Sequence, residues 1–244
     1  MLSKRAKEMH SEIVKQKLRS CKAILFDFGG TLDSDGEHWL DRFYELYREA
    51  GLNIRHDRIK EAFYRADDMC SSDEAINYLG LKDLMKHHVR LQFTVLNIEN
   101  PEIEKWIVER FCVESEYYLK RNSLLLERLK RCYKLGVVSN FYGNVEVLCK
   151  EAGLAPYLDT ILDSTQVGLS KPDLAFFKTA LGRLGVLPEE AIFVGDSYER
   201  DILPARRLGM KAVWVNNKES NPEALEDTVD ATLKSLLELE RLVL

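Results

Sequence analysis

The chain of 244 residues carries a formal net charge of -5 and a pI near 5.7, with 45% hydrophobic and 31% charged residues. These values fit an ordinary globular chain of one or two domains. They exclude a collagenous or disordered class and a nucleic-acid surface built on bulk basicity. The five cysteines, Cys21, Cys70, Cys112, Cys132 and Cys149, form no CxxC pair, so neither a zinc knuckle nor a redox pair is signalled and they read as reduced thiols.

The first segment, MLSKRAKEMHSEIVKQKLRSCK, lacks an apolar h-region, and Glu8 and Glu12 argue against a basic transit peptide. Ile13, Val14 and Leu18 fall at helical spacing within it, which predicts a short amphipathic helix. No apolar run approaches the roughly 18 residues of a spanning helix. The expectation is a cytoplasmic protein with no membrane and no nucleic-acid partner.

Lys22 to Phe28 reads as a buried strand. From Glu37 to about Tyr118 apolar residues recur at helical spacing: Trp39, Leu40, Phe43, Leu46 and Tyr47, then Ile59, Ala62 and Phe63, then Leu91, Val95, Ile107 and Phe111. His87 and His88 are adjacent, so they cannot share a helix face as HExxH ligands do, and they read as ordinary residues of this block.

After Arg121 strands and helices alternate. Predicted strands are LGVVS (135–139), TILD (160–163), AIFVGD (191–196) and KAVWV (211–215), and predicted helices are 124–133, 145–151, 173–184, 201–208 and the tail from Thr232. Such alternation predicts an α/β fold, a doubly wound and mostly parallel Rossmann-like sheet, here interrupted after its first strand by a helical insertion. Residues 1–20 form an extension, residues 21–35 and 121–244 the core, and residues 36–120 the insertion.

In such sheets ligands bind beyond the carboxyl ends of the strands. Here those ends carry Asp27, Ser139-Asn140 and Asp196-Ser197, with Lys171 in GLSKPD ahead of a helix. Taken singly, each has an ordinary reading as a helix cap, a turn or a solvated loop. All of them in order point instead to one rim where two carboxylates, a hydroxyl and an amine converge. Facing carboxylates repel unless a cation sits between them, which implies Mg²⁺. The amine and hydroxyl suit a tetrahedral anion, the glycines after Asp27 let backbone N–H groups approach it, and the aspartate can attack phosphorus.

LFDFGGTL, GVVSN, SKPDLAFF and VGDSYERDILPARRLGM, in that order, resemble the four motifs of the haloacid dehalogenase superfamily, whose commonest members are Mg²⁺-dependent phosphatases. The resemblance covers about residues 22–34 and 121 to the C-terminus, and the helical insertion is similar to that family's C1-type cap. It implies Asp27 as nucleophile and metal ligand, and Lys171 as a catalytic and phosphate-binding residue. It implies Asp196 and the Gly29 backbone carbonyl as further metal ligands. Ser139, Asn140 and the Gly30 backbone would bind phosphate, Thr31 would brace the loop, and Asp201 would orient Lys171 or water. The expected partner is a small phosphorylated substrate, and the expected assembly a monomer or homodimer.

One departure stands out. The family's phosphatases carry an acid–base aspartate two residues after the nucleophile, and this chain has Gly29. General acid–base catalysis is worth about 10²–10⁴-fold, or roughly 3–5 kcal/mol. Three consequences stay open: a substrate with a good leaving group, slow turnover, or a substitute acid among Asp33, Asp35, Glu37 and His38. The ordinary reading of that acidic cluster is a solvated hinge. The retained GDS argues against the metal-free dehalogenase branch. A phosphonate hydrolase would use an insertion lysine (Lys60, Lys82, Lys86 or Lys105), and a non-catalytic phosphate-ligand binding protein is a further alternative. Arg42, Arg48, Arg65, His38 and Trp39 are specificity candidates by residue type alone.

Overall fold

The computed structural model describes residues 4–217 and 229–244. Helix α1 (Lys4–Arg19) precedes strand β1 (Ala23–Phe26), and residues 1–3 of the expected extension lie outside the described residues. Four helices follow before the next strand: α2 (Trp39–Glu49), α3 (His56–Ser71), α4 (Leu81–Leu96) and α5 (Pro101–Leu129). Their apolar stripes decide which faces are buried. Trp39, Leu40, Phe43, Leu46 and Tyr47 form the inner face of α2, while Glu45 and Glu49 face water. Helix α5 starts at Asn100, whose side chain accepts from Ile103 N–H with Pro101 in the first turn. It runs 29 residues without a break, so a second helix beginning at Leu124 is not seen and residue 120 lies inside one continuous rod.

The second half continues with β2 (Lys134–Ser139), α6 (Val145–Glu151), β3 (Thr160–Asp163), the single turn α7 (Ser164–Val167), α8 (Leu174–Leu184) and β4 (Ala191–Gly195). A π-helical turn (Tyr198–Ile202) leads into α9 (Leu203–Leu208), followed by β5 (Lys211–Val215), β6 (Ala231–Leu233) and α10 (Leu239–Val243). Two sequence expectations change here. The helix expected from Asp201 begins as the wider turn, because Asp201 Oδ2 accepts from Ser197 N–H (3.0 Å) and folds the side chain back toward β4. The tail expected to be helical from Thr232 first adds a strand, since Ala231–Leu233 pairs with the edge that β5 would otherwise leave open.

Among the described residues the six strands are all parallel, in the order β3-β2-β1-β4-β5-β6. The chain winds outward from β1 in one direction and then from β4 in the other, which confirms the doubly wound expectation. The strand order reverses between β1 and β4, where such sheets open a crevice. Alternate residues of β1 serve opposite faces. Ile24 and Phe26 pack with α1, α6, α10 and the helical block, whereas Ala23 and Leu25 pack with α8 and α9. Among the described residues no helix is long and apolar enough to cross a membrane.

Candidate active site

The three central strands deliver their last polar residues to one rim. Asp27 follows β1, and its N–H donates to Val194 O of β4 (2.9 Å). Ser139 ends β2 and Asp196 follows β4. The Asp27 carboxylate is held from several sides through Oδ1, which accepts from Phe28 N–H (2.7 Å) and Ser139 Oγ (2.8 Å) and lies 2.8 Å from Lys171 Nζ. Lys171 Nζ lies 2.7 Å from Asp201 Oδ1. Burial alone would lower the Lys171 pKa, but Asp201 and Asp27 outweigh it and raise the pKa above the usual lysine value. The amine therefore stays charged.

Two glycines make room for this packing. A Cβ on Gly30 (φ +82°) would sit 2.5 Å from the Asp196 carboxylate, and one on Gly195 would sit 2.5 Å from Asp201 Oδ2. Asp196 Oδ1 in turn accepts from Thr31 Oγ1 (3.3 Å), so Thr31 acts on Asp196 more directly than on the nucleophile loop. Carboxylate oxygens of Asp27, Asp196 and Asp201 lie within 4.8 Å of one another. Burial, then Asp27 and Asp201, push the Asp196 pKa well above the carboxylate range. Three acids against one lysine, offering oxygen donors only, fit a hard divalent cation. Asp201 already has Lys171 on one oxygen and Ser197 N–H on the other, which leaves Asp27 and Asp196 to face the ion.

A cavity of about 80 Å³ opens above this rim. Asp27, Gly29, Ser139, Lys171 and Asp196 line its floor, while His38, Trp39, Phe63 and Asp67 come from the helical block. A Cβ on Gly29 would meet Trp39 Nε1 at 3.5 Å, an ordinary contact. Trp39 therefore covers the space where a side chain at position 29 would begin.

Several expected roles change in the structure. The Gly30 N–H donates to Asp33 Oδ1 (2.8 Å), so it is not free for a phosphate. The Asn140 side chain clamps the Lys171 backbone, accepting from its N–H (2.7 Å) and donating to its carbonyl (2.9 Å), so it positions the lysine. Asp33 is wholly buried, with Trp39 Nε1 (2.6 Å) and Arg42 Nη1 (3.1 Å) on Oδ2, and is no free acid. Asp35 receives Arg121 on both oxygens (2.7 and 2.8 Å) and Leu236 N–H (2.8 Å). Asp33 and Asp35 are therefore not part of a solvated hinge, because their charges are paired inside the fold. His38 does line the cavity, with Nδ1 accepting from Leu40 N–H (3.2 Å) and Arg200 Nη2 3.1 Å from Nε2. Burial and then Arg200 lower its pKa, so its neutral form, which accepts protons, prevails at neutral pH.

Of the specificity candidates, Arg42 is buried against Asp33, and Arg48 and Arg65 pair on the surface with Glu45 and Glu61. Lys60, Lys82, Lys86 and Lys105 are absent from the cavity wall. Sequence reasoning missed Asp67, His88, Tyr142 and Arg200. A signal for His88 was present: Leu81, Leu84, Met85, Val89 and Phe93 form the buried stripe of α4, and that stripe carries His88 and Gln92.

Comparison with known proteins supports the same reading. A family model described as haloacid dehalogenase-like hydrolase matches residues 21–209. The phosphoserine phosphatase of Thermus thermophilus is 34% identical, over 91% of this chain and 100% of that protein. The glyceraldehyde 3-phosphate phosphatase of Methanocaldococcus jannaschii is 30% identical, over 91% of this chain and 96% of that protein. In fold, the chain is similar to a crystal structure of a dehalogenase with an intermediate complex, at a TM-score of 0.62 and 22% identity, covering 92% and 97% of the two chains.

Proposed function

This chain belongs to the haloacid dehalogenase-like hydrolases, and from that membership we propose that it is a Mg²⁺-dependent phosphomonoesterase acting on a small phosphorylated compound. The observation that carries the reading is the convergence of Asp27, Ser139 and Asp196, from three adjacent strand ends, with Lys171 from the segment before α8. The phosphatase names of its 30–34% identical relatives agree with it.

Asp27 and Asp196, with the Gly29 backbone carbonyl, would hold Mg²⁺, which when bound offsets the carboxylates and draws charge from the phosphoryl oxygens. The residues of the chain supply the rest. Ser139 and charged Lys171 donate to phosphoryl oxygens as negative charge builds there. The Asp27 carboxylate, its plane fixed by the donors on Oδ1, attacks phosphorus. An O–P bond forms to Asp27 as the ester P–O bond breaks and the leaving group departs as its alkoxide or phenolate, taking a proton from solvent; water then attacks the aspartyl-phosphate, gives a proton back to solvent, releases phosphate and restores Asp27. Asp201 keeps Lys171 charged and aimed at this centre.

In this reading residues 36–120 act as a C1-type cap over the core of residues 21–35 and 121–244. Gly29 stands in place of the family's acid–base aspartate, and Asp33 and Asp35 are already paired. Between esters that make no further contact with the cavity wall, the protein therefore turns over faster the one whose leaving group needs less protonation. The test is phosphate release from an aryl and an alkyl phosphate of similar size, with and without Mg²⁺, using Asp27→Asn as the blank. Mg²⁺-dependent turnover that the blank lacks and that favours the aryl ester supports the reading. Turnover unchanged in Asp27→Asn, or absent with both esters, overturns it.

A further inference from the structure

Behind the cavity wall runs a chain of buried polar groups that phosphoryl transfer does not use. Tyr47 Oη donates to Gln92 Oε1 (2.8 Å), which leaves the Gln92 amide nitrogen facing His88 Nδ1 (2.8 Å). With Nδ1 accepting, the His88 proton sits on Nε2, aimed at Asp67 Oδ1 3.0 Å away. The Tyr142 hydroxyl donates to the same oxygen. Burial and then Asp67 push the Tyr142 pKa well above the phenol range, so it keeps the proton it donates. His88 and Gln92 are fully buried, and such a set has one effect: it fixes the Asp67 carboxylate in one orientation.

The other oxygen of Asp67 has no hydrogen-bond or ion-pair partner among the described residues, and Asp67 lines the cavity with its side chain 26% exposed. Arg200 lines the same cavity. It reaches His38 Nε2 (3.1 Å) and Ser197 Oγ (3.5 Å), and no carboxylate pairs with it among the described residues. The wall beyond the phosphoryl site thus presents one anchored carboxylate and one guanidinium that no carboxylate among the described residues contacts, its charge reaching Asp196 only at longer range. Half-buried charges left this way are costly in the free protein, and a ligand of opposite charges relieves the cost.

Resting on the phosphatase reading above, we propose that Asp67 and Arg200 form a leaving-group subsite for a zwitterion, an ester whose alcohol portion bears both an ammonium and a carboxylate, as in a phosphorylated hydroxy-amino acid. Asp67 takes the ammonium and Arg200 the carboxylate. A hydroxyl in place of the ammonium satisfies Asp67 poorly. The floor already carries Asp27 and Asp196 and receives an anionic phosphate, so a further carboxylate there repels any ligand that brings no positive charge. The cavity of about 80 Å³ limits the leaving group to a few heavy atoms.

The test compares kcat/KM of the wild-type protein with Mg²⁺ on four esters. They are O-phosphoserine, 3-phosphoglycerate (hydroxyl for ammonium), O-phosphoethanolamine (no carboxylate) and an aryl phosphate. A preference of about tenfold or more for O-phosphoserine over both of its relatives is the expected result. In Asp67→Asn the serine-to-glycerate ratio falls toward one, and in Arg200→Met the serine-to-ethanolamine ratio does. Each is a ratio within one protein, so a general loss of rate cancels. If either variant fails to fold, the wild-type comparison decides alone. Equal rates across the three aliphatic esters, or turnover of the aryl ester only, overturn the subsite while leaving the phosphatase reading intact. Release from none of the four overturns both.

Discussion

The carboxyl rim of the sheet and the interior of the helical block both bury charge, but they settle it differently. At the rim Asp27, Asp196 and Asp201 crowd around one lysine, and Asp196 is driven toward its neutral form. Where the block meets the rim, burial raises the Asp33 pKa too, but Asp33 is paired one to one with Arg42, whose guanidinium also donates to Phe111 O (3.1 Å) and Ser115 Oγ (2.9 Å) and lies 3.8 Å from the Phe111 ring centre. Balanced, internally satisfied charge holds a structure together. Unbalanced charge at a cavity floor is kept only where a ligand completes it. The first arrangement ties the helical block to the loop after β1, through Asp33 to Gly30 N–H and Trp39, and the second is where chemistry is placed.

That contrast can be broken from either side. The largest effect on stability is expected from Asp33→Ala, which removes the nearer, buried partner of Arg42 and leaves it only the half-exposed Glu114 at 3.6 Å. Urea unfolding should register a loss of about 3–5 kcal/mol, and a loss below about 1 kcal/mol would mean the pair does not hold the block. Lys171→Met removes the cation that contacts Asp27, and steady-state assays should show kcat/KM down by about 10²–10³-fold. Little change there would place the phosphate elsewhere.

Asp35→Asn sharpens the same contrast through pH. Burial raises the Asp35 pKa, but Arg121 and the Leu236 N–H outweigh it, so the folded value lies below the ordinary one. Stability from this pair is then fully present above the unfolded carboxylate's pKa and is lost as pH falls through the lower folded value. Unfolding curves should show wild type ahead of Asp35→Asn by about 2 kcal/mol at neutral pH, with the gap closing below about pH 4. A gap independent of pH would contradict the assignment. The smallest effect is expected from Gly29→Asp. The position admits a Cβ, but Trp39 sits 3.5 Å from it, so the new acid is only partly aligned. Assays should find the aryl-to-alkyl rate ratio reduced by about tenfold, short of the full range for general acid catalysis.

Much of the rim was legible in the sequence because Asp27, Ser139 and Asp196 each end an apolar run, and a doubly wound sheet brings such strand ends to one side. The wall was not. Tyr47, Asp67, His88 and Gln92 come from three different helices and Tyr142 from the loop after β2, and only His88 and Gln92 share a local spacing. Asp33 and Asp35 looked like a solvated hinge because the partner of Asp35, Arg121, lies 86 residues away. The strand Ala231–Leu233 was likewise hidden, since its extended form comes from the free edge of β5 and not from its own residues.

The central claim is that Asp27 carries the phosphoryl group between the two halves of the reaction. Quenching wild-type protein in acid during turnover of an aryl phosphate with Mg²⁺, then locating phosphate by peptide mass, tests it directly. A hydroxylamine-labile phosphate is expected on the peptide containing Asp27, absent when Mg²⁺ is withheld. Turnover with phosphate on another residue, or with no phosphorylated peptide under conditions that preserve acyl phosphates, would contradict it.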